Sequence, residues 1–99
     1  HKLRQLRQRI TVRYHLNPLT RTEVGQYIQH RITLAGSRIA PVFTRMAVWR
    51  IYSYSQGVPR LVNALCDKAL LAGFVERSRR ITYRMVGRAI RELEGDIHA

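Results

Sequence analysis

The residues best placed to do chemistry are Gly57-Val58-Pro59-Arg60-Leu61-Val62-Asn63. Glycine closes one helix, proline opens the next, and an arginine falls in the first turn. Proline suits that first helical position because its missing N–H would have no partner there. The free amides and positive dipole end of a helix start favour an anion. A guanidinium beside them can fork two phosphate oxygens in charge-assisted hydrogen bonds. The same arginine also reads as an exposed residue that tolerates a mildly unfavourable dipole.

Other chemistries lack their residues. His1, His15, His30 and His98 show neither the i, i+4 pairing nor the nearby cysteines of a zinc site, so no metal is expected. Cys66 falls on the apolar side of its helix and reads as a small buried hydrophobe. No serine, histidine and acid are spaced as a nucleophilic site. The chain has no G-x-x-x-x-G-K-[ST] loop, the usual phosphate cradle, and is not expected to hydrolyse a nucleotide unaided. A second basic group, Arg80, Arg84, Arg88 and Arg91, has the spacing i, i+4, i+8, i+11. It reads as a stripe along one face of the last helix, opposite Val86, Ala89, Ile90 and Leu93. Such a stripe suits a DNA backbone or is a solvated face.

The elements that position these residues are helical almost throughout. Leu3, Leu6 and Ile10 mark a helix over 2–11, and Val12 to Leu16 alternate as a short strand. Asn17-Pro18 ends that strand. Thr20-x-x-Glu23 is a capping box, and Val24, Tyr27, Ile28, Arg31 and Ile32 carry its helix to a left-handed stop at Gly36. Pro41 to Thr44 lead into a third helix capped by Thr44, buried through Ala47, Val48, Ile51 and Tyr52 and ended by Gly57. Leu61, Val62, Leu65, Ala69, Leu70, Ala72 and Gly73 supply the inner face of the long helix that Pro59 opens. Thr82 caps the last. The expected class is therefore all-α, a bundle of about five helices with one orphan strand near residues 12–16.

Ninety-nine residues at net charge +12 suit one domain, and 45% hydrophobic residues exclude wholesale disorder. No apolar run reaches the roughly 18 residues of a membrane span. The single cysteine excludes an internal disulfide and suits a reducing compartment. Sixteen of the 18 basic residues are arginine, the better fork for phosphate. Because the chain starts at His1, it is expected to be a fragment.

Five blocks in order carry a resemblance: Leu6-Arg7-Gln8-Arg9-Ile10 with Arg13-Tyr14-His15-Leu16-Asn17-Pro18-Leu19; Tyr27-Ile28-x-His30-Arg31; Ala35-Gly36; Phe43-Thr44; and Ile51-Tyr52-x-Tyr54-Ser55-x-Gly57-Val58-Pro59-Arg60-Leu61-Val62-Asn63-x-Leu65-Cys66-Asp67. Over residues 3–93 the chain resembles the C-terminal α-helical lid of an AAA+ ATPase of the ExeA or general secretion pathway protein A group. The resemblance implies that Arg60 is the sensor-2 residue, reaching the γ-phosphate of ATP. It implies residues 1–16 as the last helix and strand of the ATPase core, and 17–99 as the lid, swinging about Asn17-Pro18. Leu16, Pro18 and Leu19 match the stretch that borders the adenine, with Tyr27 adding to it, and Pro59 joins Arg60 among the implied nucleotide-binding residues, although the apolar ones at the hinge read equally well as core. Arg9, followed by Arg7 and Arg13, is the candidate arginine finger acting on the next subunit of a ring.

The implied cofactor is ATP with Mg, in the parent protein rather than in this piece alone. The implied partners are the core domain of the same polypeptide, neighbouring ring subunits and an ExeB-type inner-membrane protein. The implied location is the cytoplasmic part of an inner-membrane-associated bacterial protein that powers assembly of a secretion or pilus-type machine. The competing expectation is a DNA-binding AAA+ module of transposition or replication, using Arg80, Arg84, Arg88 and Arg91.

Overall fold

The computed structural model describes residues 17–36 and 41–98. In chain order they form α1 (Arg21–Ala35), β1 (Val42–Phe43), α2 (Arg45–Ser55), α3 (Pro59–Glu76), β2 (Arg80–Ile81) and α4 (Tyr83–His98). The all-α expectation holds, with four helices among the described residues. The expected helix over 2–11 and strand over 12–16, and the domain boundary after residue 16, lie outside them.

Each helix starts where local chemistry dictates. Thr20 Oγ1 accepts from the Glu23 amide at 3.2 Å while a Glu23 carboxylate oxygen accepts from the Thr20 amide at 2.9 Å, closing both halves of the capping box. Gly36 stops α1 in the left-handed region. Thr44 caps α2 through the Ala47 amide at 3.1 Å, and Thr82 caps α4 through the Met85 amide at 3.3 Å. Pro59 takes the first position of α3, after Val58, which makes no side-chain cap.

Three local readings are corrected. α2 ends at Ser55 with Gln56, not Gly57, as its left-handed cap; Gly57 follows, also at positive φ. Residues 42–43 are not merely a helix approach. They pair in parallel with β2, Val42 opposite Arg80 and Phe43 opposite Ile81. Local patterning cannot show this, since the partner lies 38 positions away, across two helices. Finally, α4 begins at Tyr83, so Arg80 lies on β2 and does not share a helical stripe with Arg84, Arg88 and Arg91. The backbone of Arg80 is held there by Ser78, whose hydroxyl accepts from its amide at 3.1 Å.

The helices bury one core. Val24, Ile28 and Ile32 of α1 meet Ala47 and Ile51 of α2, Val62, Leu65, Cys66 and Ala69 of α3, and Met85, Val86 and Ala89 of α4, with Ile81 of β2 closing one end. This is the 3.6-residue period made physical: each helix turns one apolar stripe inward. α3 is central, packing against α2 and most extensively against α4. Its two ends therefore present two separate surfaces.

Candidate functional site at the start of the central helix

Gly57 is set by its surroundings. Its φ of 81° lies in the left-handed region, and a Cβ there would collide with the carbonyl oxygen of Leu19. Its own carbonyl accepts from the Leu19 amide at 2.9 Å. The Gly57 amide in turn donates to the buried Ser55 hydroxyl at 3.1 Å. The segment after Asn17-Pro18 is thereby fastened to the turn that launches α3.

One turn into α3, Asn63 fastens the other side. Its Oδ1 accepts from the Tyr27 hydroxyl at 2.8 Å and from an Arg31 guanidinium nitrogen at 2.7 Å. Arg31 also pairs with Asp67 at 3.2 Å. Leu19, Tyr27, Pro59 and Arg60, which the sequence offered as nucleotide-contacting residues, are therefore gathered around one helix start. Pro18 is exposed beside Leu19. Leu16 and the candidate finger Arg9 lie outside the described residues.

Arg60 itself is exposed, and its side chain has no hydrogen bond or ion pair among the described residues. The first turn of α3 contains no acid. The guanidinium is thus a cation held on a helix with no acid paired to it among the described residues, which suits an external anion. Neighbouring Tyr27 has a defined structural contact through its hydroxyl, and the half-buried residue packs against the core.

Asn63 and Arg31 are the residues sequence reasoning left without a role. The available signal was spacing, since Asn63 follows Arg60 by three positions and so lies one turn further along the helix. Cys66 is buried, as expected. Burial pushes its thiol up to about 12, partly opposed by Arg31 and aided by Asp67. A thiol so protonated is not a nucleophile near neutral pH.

A cavity of about 540 Å³ opens at the far end of α3, between α1, α3 and β2. Ile32, Phe43, Leu70, Phe74 and Ile81 are among its lining residues, and none of the expected nucleotide contacts is. Arg84, Arg88 and Arg91 are exposed on α4, where Arg88 pairs with Glu76 at 2.9 Å. No group of three His, Cys, Asp or Glu able to hold a metal occurs among the described residues, and none of their helices is long and apolar enough to cross a membrane.

No family model matches the chain, and no solved structure matches it. Over 93 residues, 94% of its length, it is 43% identical to General secretion pathway protein A of Aeromonas hydrophila. It spans only 17% of that protein. The resemblance read from the five ordered blocks is thus a relationship over nearly the whole chain.

Proposed function

We propose, from this relationship to general secretion pathway protein A, that residues 17–99 are the helical lid of an AAA+ ATPase and that Arg60 is its sensor-2 contact to the γ-phosphate of ATP. The observation that carries the reading is the fastening of the α3 start. Leu19–Gly57 holds it on one side and Tyr27–Asn63–Arg31 on the other, while Arg60 between them is exposed and has no ion pair among the described residues. That is the arrangement required to place one positive charge reproducibly against a ligand held by another domain.

Phosphoryl transfer depends mainly on positioning and charge stabilisation. Mg-bound ATP in the parent's core domain supplies the γ-phosphate. This chain supplies the guanidinium, its orientation and a hinge at Asn17-Pro18. Because Leu19 is bonded to Gly57, a shift at the hinge is transmitted directly to the helix that carries Arg60. On the same reading residues 1–16 end the core domain, and Arg9 reaches the ATP of a neighbouring subunit in a ring. The parent acts at the bacterial inner membrane, this part in the cytoplasm with an ExeB-type partner, in assembly of a secretion machine.

The test is Arg60→Ala in the complete protein. Turnover of ATP is expected to fall at least about tenfold, with ATP binding retained. Unchanged turnover and an unchanged conformational response to ATP would refute the role.

A further inference from the structure

We propose that the face formed by β1, the start of α2 and β2 docks on an anionic membrane surface. The β1–β2 ladder joins two stretches of chain that are far apart in sequence. Val42, Thr44, Arg45, Arg79 and Arg80 consequently line one open cleft of about 440 Å³. Three arginines converge there, and no acid lines it.

The acids are placed elsewhere. Glu23 closes the α1 capping box, Asp67 pairs with Arg31, Glu76 with Arg88, and Glu94 accepts from the Tyr54 hydroxyl. Glu92 and Asp96 lie towards the end of α4. Arg45 and Arg80 therefore line the cleft with no acid among its lining residues.

Beside the arginines the surface is apolar and exposed. Val42 is 54% exposed, Met46 55% and Trp49 39%. Arg45, Met46 and Trp49 are at i, i+1 and i+4 on α2, the side opposite its buried residues Ala47, Ile51 and Ser55. Apolar side chains set among arginines are what binding in the headgroup layer requires. The cations meet lipid phosphates while the apolar groups enter the acyl boundary, tryptophan favouring that depth.

A nucleic-acid backbone fits this face less well. It has no use for exposed Val42 and Met46. Of the exposed aromatic residues beside the arginines, Tyr83 already has the Arg50 guanidinium 4.1 Å over its ring, which leaves Trp49. The face also differs from the Arg60 site. Arg45 lies at the opposite end of the 11-residue α2 from Ser55, and β2 follows the far end of α3, so the two sites use different ends of these helices.

Trp49 is the sole tryptophan, which makes it a direct probe. The 99-residue chain is mixed with vesicles of phosphatidylcholine alone or with about 30% phosphatidylglycerol, at low salt and at about 0.5 M. Co-sedimentation is expected only with the anionic vesicles and at low salt, with Trp49 emission shifting to shorter wavelength. Arg45→Glu/Arg80→Glu should weaken partitioning at least about tenfold with unchanged circular dichroism. Arg60→Glu/Arg91→Glu, equal in charge, should weaken it much less. Four results would overturn the proposal: no binding to anionic vesicles, binding without a Trp49 shift, equal loss in the two double variants, or tighter binding to a short DNA duplex through the same arginines.

Discussion

Two side chains on α3, three positions apart, contribute in opposite ways. Asn63 acts through a polar contact: one oxygen serves both Tyr27 and Arg31, so α1 is tied to α3 at the level of Arg60. Asn63→Ala leaves both donors short of their shared acceptor and should destabilise the domain by about 1–3 kcal/mol, with Asn63→Asp, which keeps an acceptor, losing less. Urea unfolding measures both; equal losses would mean that the acceptor is not what Asn63 contributes. Cys66 acts by being neutral. Its thiol is raised from 9.0 to about 12 by burial, so the unfolded chain gives up this proton before the folded one does. The resulting stabilisation is complete below about pH 9 and is lost as pH rises to about 12. Stability measured across that window should fall less steeply in Cys66→Ala than in the parent. The comparison between the two matters because Tyr54 is also raised, by burial and then by the charge of Glu94.

At the scale of elements, packing distance decides what sequence propensity cannot. Gly25 and Gly73 both lie within helices, where alanine is intrinsically better by about 1 kcal/mol. A Cβ at Gly25 would lie 3.7 Å from Val48, an ordinary contact between α1 and α2. At Gly73 it would come within 2.5 Å of Ile81 Cδ1 and 3.1 Å of the Ser78 carbonyl, where α3 lets β2 approach. Gly25→Ala should therefore raise the melting temperature, with a gain of up to about 1 kcal/mol. Gly73→Ala should lower it, overpacking outweighing propensity by about 1–2 kcal/mol. Thermal melts of the two variants, made side by side, distinguish crowding from helix propensity.

For the whole molecule the governing quantity is charge. A net +12 on 99 residues repels itself, and the ion pairs Arg31–Asp67 and Arg88–Glu76 are partly exposed and individually weak. Screening should therefore stabilise the chain. Raising ionic strength from about 0.01 to 0.15 M shortens the Debye length from about 30 to 8 Å. The melting temperature should rise by a few degrees, as calorimetry would show; a fall would mean that the ion pairs outweigh the repulsion.

The sequence by itself determined the four described helices, their caps at Thr20, Thr44 and Thr82, the proline start of α3 and the burial of Cys66. These depend on neighbours within about four positions, through hydrogen bonds and one-sided apolar spacing. The ordered blocks also carried the relationship to general secretion pathway protein A and singled out Arg60. Only the tertiary structure decided three things. Arg80 leaves the helical stripe because β2 needs it opposite Val42, Leu19 closes on Gly57, and Tyr27 and Arg31 converge on Asn63. Each joins positions more than 30 apart, and such pairings follow from how helices pack, which no local period records.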